Sequence, residues 1–148
     1  MRLAIAFAII ATLLGGATLD AGTKLSRAVV DGNLVLAKNL VESGEKVNEV
    51  DKWGWTPLAW AAYYGHPVIV KWLLEQGADP NILTIKEYGR YKPGVSPLLL
   101  AAYYGHDEIV ADLLNAKADP SIADISGRIP VYYARDFGFT KCVELLSR

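Results

Sequence analysis

Two stretches of the chain repeat each other closely and decide the fold. Residues 56–66 read TPLAWAAYYGH, and residues 96–106 read SPLLLAAYYGH, 40 positions later. The glycine that ends the first stretch, Gly65, lies 33 positions after Gly32, which suggests a basic period of 33. A fixed period of this length is the signature of a protein built from stacked structural repeats.

The one longer interval indicates an insertion of seven residues, which lies between Asn81 and Pro97. After it the shorter period returns, because Pro97 and Pro130 are 33 positions apart. Residues 83–95 therefore predict a lengthened turn, a projecting finger, between the second and third repeats.

Each unit carries the local signals of two short helices. Thr56 or Ser96 is a suitable N-cap, and a proline follows at the first helical position, where its missing N–H costs nothing. Gly65 or Gly105 supplies the left-handed residue that ends the first helix. Such short helices bury their apolar faces only when neighbouring units stack. The apolar positions of the second helices are Ile69, Val70, Leu73 and Leu74, matched by Ile109, Val110, Leu113 and Leu114.

These motifs resemble the ankyrin repeat. The stretches that carry the resemblance are WGWTPL at 53–58, AAYYGH at 61–66 and GADPN at 77–81. The resemblance implies an all-α solenoid of four stacked helix–turn–helix units within residues 18–148. The approximate limits of the units are 22–50, 51–83, 84–123 and 124–148. The chain departs from the family at Ala59 and Leu99, where a histidine usually stands.

The beginning of the chain predicts export. Arg2 precedes an uncharged stretch from residue 3 to 14, and the small residues 15–17 follow. This is the pattern of a cleavable signal peptide, residues 1–17, and is shorter than the ~20 apolar residues of a membrane span. We expect a periplasmic protein, or alternatively a secreted one, with no stable membrane anchor after cleavage. An uncleaved anchor is the other interpretation of the same segment.

Composition argues against several classes of function. A net charge of −1 lacks the excess of basic residues expected of a nucleic-acid partner. The single cysteine, Cys142, excludes an internal disulfide, and its repeat position predicts a core residue. His66 and His106 are the candidates for catalysis or metal binding, but both follow a helix-ending glycine, where each is expected to bond the backbone of its own turn. We therefore expect no catalytic residue, no metal and no cofactor, and hence no enzyme.

The aromatic residues predict a binding surface. All four tryptophans lie in the second unit, where Trp60 reads as core, while Trp53 and Trp55 flank a turn glycine. Ankyrin-like proteins hold their partners in a concave groove lined by such turn and helix-end positions. The resemblance places there Lys52, Trp53, Trp55, Tyr63, Tyr64, Tyr103, Tyr104, Arg128 and Phe137. The finger adds Tyr88, Arg90 and Tyr91. For each tyrosine pair, packing of one ring against the adjacent unit is an equal alternative.

The predicted function is that of an exported, non-catalytic module, monomeric when free, that binds one exported protein. An enzyme is the expected partner, and inhibition of a peptidoglycan hydrolase for self-protection is the specific hypothesis. Alternatives are a helper that stabilises an exported enzyme, such as one for oxidant defence, or an effector that binds a foreign protein. Enzymatic activity of the chain itself is the remaining alternative.

Overall fold

The described part of the protein is built from helices and turns alone. A computed structural model describes residues 23–87 and 92–148, and within these ranges no strand is present. The helices, in chain order, are α1 Lys24–Val30, α2 Leu34–Glu42, α3 Pro57–Tyr64, α4 Pro67–Glu75, α5 Pro97–Tyr104, α6 Asp107–Asn115, α7 Pro130–Asp136 and α8 Thr140–Leu146. They form four helix pairs, which confirms the all-α repeat solenoid that the sequence predicts.

The first helix of each inner unit begins and ends as its sequence requires. The hydroxyl of Thr56 accepts a hydrogen bond from the amide of Ala59 at 3.1 Å, and Pro57 occupies the first turn. Gly65 ends the helix with φ of 74°, a conformation that residues with a Cβ rarely adopt. In the third unit the same devices are Ser96, Pro97 and Gly105.

The core runs lengthwise through the stack, between two rows of helices. Helices α1, α3, α5 and α7 pack side by side, and α4, α6 and α8 form a second row behind them. Ala61 and Ala62 are completely buried, and these small residues let neighbouring first helices approach closely. Cys142 lies in the same core, 1% exposed, and its burial raises the pKa of its thiol to about 11. The prediction that Cys142 is a core residue is confirmed.

The two histidines join successive units, and the expectation that each bonds its own turn is wrong. The Nε2 atom of His66 lies 3.3 Å from the carbonyl oxygen of Val30, one unit back. His106 makes the corresponding contact with the backbone of Tyr63, and its ring lies against Gly65. The reason is that the helix-ending glycine of the preceding unit has no Cβ, so an imidazole ring fits directly against it.

A second set of links between units comes from asparagines. Asn48 accepts a hydrogen bond from the amide of Asp79 at 2.9 Å and donates one to the carbonyl of Gly77 at 3.2 Å. Asn81 makes the same pair of bonds to the turn of the following unit. Each asparagine thereby satisfies backbone groups that would otherwise depend on water.

The inserted residues lie between Thr84 and Val95. The amide of Thr84 donates to the carbonyl of Val95 at 3.0 Å, and the amide of Val95 donates to the Thr84 hydroxyl at 3.0 Å. These bonds close the base of the finger, while residues 88–91 lie outside the described residues.

The predicted signal peptide, residues 1–17, also lies outside the described residues. Among the described helices, none combines the length and the apolar character needed to cross a membrane.

Candidate partner-binding surface

A buried carboxylate organises the turn that carries the tryptophans. One oxygen of Asp51 accepts from the amides of Trp53 and Trp55, at 2.8 and 2.9 Å, and the other accepts from the indole N–H of Trp60 at 2.7 Å. Asp51 therefore fixes both the backbone of the turn and the first helix that follows it. The sequence reasoning missed this role, although an aspartate stands at the same position of the fourth unit.

That second aspartate, Asp124, repeats the arrangement in the fourth unit. It accepts from the amides of Ser126 and Arg128, at 2.8 and 3.1 Å, and from the hydroxyl of Tyr133. Burial, together with this hydrogen bond to a carboxylate, raises the pKa of Tyr133 to about 12. Although partial burial raises it, the hydrogen bonds from Tyr133 and the turn amides bring the pKa of Asp124 below its usual value.

Trp55 does not project from the turn, and its assignment to the binding surface is wrong. Its side chain is 0% exposed and lies against Trp60, with 4.5 Å between ring centroids, and against Tyr63. The physical reason is the left-handed φ of Gly54, 74°, and the hydrogen bonds to Asp51, which turn the chain so that residue 55 points into the stack. Val95, at the same position of the third unit, is buried too.

Trp53 and Lys52 lie at the outer part of the same turn. Trp53 is partly buried, and the ammonium of Lys52 stands 5.2 Å from its ring centroid. Lys86, from the base of the finger, donates to the carbonyl oxygen of Lys52 at 2.8 Å. The turn of the second unit and the finger are therefore in direct contact.

The four tyrosines and Phe137 form one continuous row of rings, which we call the aromatic row. Tyr63 and Tyr64 meet edge to face at 4.8 Å, and Tyr63 meets Tyr104 of the next unit at 5.1 Å. Tyr103 lies 5.1 Å from Tyr104 and 4.9 Å from Phe137. All four tyrosines are partly buried and Phe137 is exposed, so the row packs between units and also presents ring surface to solvent.

Arg128 lies beyond the end of this row. Its guanidinium is 5.0 Å from the ring centroid of Tyr132 and 5.8 Å from that of Tyr133, and one nitrogen is 3.9 Å from the carboxylate of Asp136. These rings hold an exposed cation in a fixed place. Of the remaining predicted site residues, Tyr88, Arg90 and Tyr91 lie outside the described residues.

The structure adds surface residues that sequence reasoning missed. Tyr132 and Ile125 are 48% and 66% exposed. Aligning the fourth unit with the second, 73 positions earlier, places Tyr132 at the position of Ala59 and Ile125 at that of Lys52. The alignment was therefore a signal for Ile125, because Lys52 is already assigned to the surface, but it gave none for Tyr132, because Ala59 is 1% exposed.

The titratable groups do not assemble into a metal centre within the described ranges, where no three His, Cys, Asp or Glu side chains come together. Burial lowers the pKa of His106 from its ordinary value. A hydrogen bond from Lys141 lowers the pKa of Asp107. Both perturbations belong to contacts between neighbouring units.

Fold and surface together define a solenoid of helical repeats. The side formed by the first helices of the units presents aromatic rings. The chain belongs to the ankyrin-repeat family. A family model described as Ankyrin repeats (3 copies) matches residues 3–84, and a model of the single Ankyrin repeat matches residues 94–125. The first of these ranges overlaps the predicted signal peptide.

Similar proteins align with part of this chain. Ankyrin repeat and SAM domain-containing protein 6 of Rattus norvegicus is 43% identical over 70 residues, which cover 47% of this chain and 8% of that protein. Calmodulin-binding transcription activator 6 of Arabidopsis thaliana is 55% identical over 42 residues, 28% of this chain and 5% of that protein. Protein phosphatase 1 regulatory subunit 27 of Mus musculus is 44% identical over 55 residues, 37% of this chain and 36% of that protein.

The chain thus aligns with a minor part of each of these relatives, all of which are eukaryotic. Membership of the family identifies it as a protein-binding module, of a kind that is typically non-catalytic.

Proposed function

We propose that the protein is an exported binding module that occupies the surface of one exported enzyme and inhibits it, with a peptidoglycan hydrolase as the target. The observation that carries the binding part is the aromatic row, because ring surface held on a stiff scaffold loses little entropy when a partner covers it. Aromatic and arginine side chains are also the types that dominate binding energy at protein interfaces.

One observation supports an enzyme as the partner. One similar protein bears the name of a regulatory subunit of a phosphatase, so an ankyrin-repeat chain of related sequence is named for its association with an enzyme. A binding module that catalyses no reaction acts on another protein only by covering part of its surface. The choice of a wall hydrolase rests on the predicted compartment alone.

Export rests on residues 1–17 and is tested independently of binding. Expression of the full chain in a bacterium, followed by cell fractionation and mass measurement, should find a periplasmic form that begins near residue 18. A full-length mass in the cytoplasm would remove the export proposal, and the hydrolase target with it, while leaving protein binding intact.

Binding is tested by affinity capture from a periplasmic extract with the wild-type protein and two variants. Tyr103→Ala removes the ring that joins Tyr104 to Phe137 in the aromatic row, and Val68→Ala truncates an exposed side chain at the start of α4, in the second row of helices. We expect a partner retained by wild type and by Val68→Ala and weakened about tenfold or more by Tyr103→Ala. Equal retention by all three proteins would contradict the proposed surface.

Inhibition is tested by adding the purified protein to the captured enzyme. We expect hydrolase activity on isolated peptidoglycan to fall in proportion to the bound fraction. An enzyme that survives heating or oxidant longer in the presence of the protein identifies a stabilising helper, and capture only from another organism's extract identifies an effector.

A further inference from the structure

A cleft lies where the base of the finger meets the third and fourth units. Its volume is about 230 Å³, and Leu99 and Tyr103 of α5 form its floor together with Tyr133 of α7. Val95 and Ile125 complete the apolar walls, and the Lys92 side chain stands at the rim. Pockets for small molecules measure about 300–1,000 Å³. This cleft is smaller and is open, which suits a single side chain of a larger partner.

The chemistry of the walls favours an apolar side chain. Two polar side chains that line the cleft are already bonded to each other, since the hydroxyl of Tyr133 donates to Asp124, which also accepts from two turn amides. A polar side chain placed against Tyr133 and Asp124 would therefore give up water without gaining an equivalent partner, and Val95, Leu99 and Ile125 offer it only apolar contact. Ile125, 66% exposed at the rim, is the surface that an apolar side chain would cover.

The charges around the cleft are unevenly distributed. In the described parts of the turns 51–55, 84–95 and 124–128 the basic residues are exposed: Lys52, Lys86, Lys92 and Arg128. Of the three carboxylates in the same turns, Asp51 is buried beneath Trp60, Asp124 is bonded to Tyr133, and Glu87 pairs with Lys92 at 2.8 Å.

The opposite side of the molecule is acidic. The second helices and the turns that follow them, residues 34–49, 67–82, 107–122 and 140–148, hold six Lys or Arg against ten Asp or Glu. An acidic partner is therefore attracted to the side with the cleft and repelled from the other.

We propose that this cleft is an anchor pocket for one bulky apolar side chain, of the size of Leu, Met or Phe, in a protein segment whose neighbouring residues are Asp or Glu. The apolar side chain lies between Leu99 and Ile125, and the flanking carboxylates reach Lys92 on one side and Arg128 on the other. The proposal rests on the proposed binding function and adds the chemistry of the partner segment.

A display library of random linear peptides, selected on the immobilised full chain, tests the chemistry directly. We expect the enriched peptides to share one bulky apolar residue with Asp or Glu close by, and their binding to weaken as salt is raised. Enrichment of basic or uncharged peptides, or of none, would overturn the proposal.

Three variants test whether the selected peptides bind in this cleft. Ser126→Trp puts an indole into the cleft from its exposed rim, and the pair Lys92→Glu with Arg128→Glu reverses the local charge. The pair Lys38→Glu with Lys71→Glu makes the same change in net charge on the second helices and is the control. We expect the first two proteins to bind the selected peptide about tenfold or more weakly and the control to bind within about twofold of wild type. Circular dichroism establishes that all three are folded.

The same variants separate this proposal from the proposed function. If the captured enzyme is lost by Tyr103→Ala but retained by Ser126→Trp, the protein binds a partner through the aromatic row and the anchor pocket is wrong. If the peptides follow the expected pattern but no enzyme is captured, the pocket stands and the proposed target fails.

Discussion

At the scale of single residues, the carboxylate of Asp51 decides which tryptophans of its unit are buried. Asp51 binds the indole N–H of Trp60 and the amide of Trp55, so both tryptophans are drawn into the stack. Trp53, whose amide also bonds Asp51, keeps its ring at the outer side of the turn. Two tryptophans separated by one glycine therefore have different roles.

This difference gives a prediction for two alanine variants. Trp55→Ala should lower the free energy of unfolding by about 3–5 kcal/mol, because a completely buried ring leaves a cavity. Trp53→Ala should cost less, since its ring is only partly buried, and should weaken partner binding instead. Urea denaturation of both variants measures this. Equal stability losses would contradict the assignment of Trp55 to the core.

A second residue-scale prediction concerns pH. Because burial lowers the pKa of His106 in the folded state, the unfolded chain binds a proton there more readily than the folded chain. The free energy of unfolding should therefore fall as pH drops below about 6.5, and the decrease should end once the pH is below the folded pKa.

The measurement is urea denaturation between pH 8 and pH 5, with His106→Gln as the matched variant, which should lack this part of the decrease. The pKa of Asp107 is also lowered, by its hydrogen bond from Lys141. The stability that this lowered pKa contributes is lost only as the pH falls below 3.8. The two pH windows are therefore separate. An unchanged slope in His106→Gln would contradict the role given to His106.

At the scale of elements, the finger is a repeat turn that has been lengthened without disturbing its base. Thr84 occupies the position of Asp51, and Gly94, with φ of 87°, occupies that of Gly54. The same closing bond between amide and carbonyl joins Asp51 to Trp55 and Thr84 to Val95. The chain length between these closing residues is therefore free to vary.

Removal of residues 86–92 should restore a turn of the short type, with Ile85, Pro93 and Gly94 between Thr84 and Val95. Folding should be retained and stability should rise by about 1 kcal/mol at most, because a shorter loop costs less entropy to close. Partner binding should weaken, because the deletion removes Lys92 together with the predicted site residues Tyr88, Arg90 and Tyr91. Thermal denaturation and the capture assay check both parts, and an unfolded product would show that the inserted residues support the stack.

At the scale of the whole molecule, each unit is stabilised by its neighbours, so position in the stack sets local stability. Helices α3 and α5 each pack between the first helices of two neighbouring units. Within the described residues, α7 packs against the first helix of only one neighbouring unit. Stability in such arrays is close to a sum of unit and interface contributions.

Hydrogen exchange should therefore be slowest for the amides of α3 and α5 and fastest for those of α8. Mass spectrometry of peptic fragments after timed exchange gives the measurement. The variant Leu113→Ala, which should cost about 2–5 kcal/mol through a core cavity, is expected to speed exchange in the third and fourth units more than in the first. Uniform exchange along the chain would contradict a stack stabilised by nearest neighbours.

The sequence by itself determined the repeat, its period, the helix pairs and the place of the insertion. These follow from local chemistry that each unit contains: a capping hydroxyl, a proline at the start of the helix and a glycine at its end. The resemblance to the ankyrin repeat followed from the same residues. It also identified the aromatic turn and helix-end positions as candidates for a surface.

Only the tertiary structure decided which of those rings reach that surface. Trp55 is buried and Ile125 and Tyr132 are exposed because burial depends on what the neighbouring unit places against a side chain, and that is a contact between residues distant in sequence. The same holds for His66, whose partner, the carbonyl of Val30, lies 36 positions away. A repeat pattern fixes the position of a residue within its unit, and the stacking of units fixes its environment.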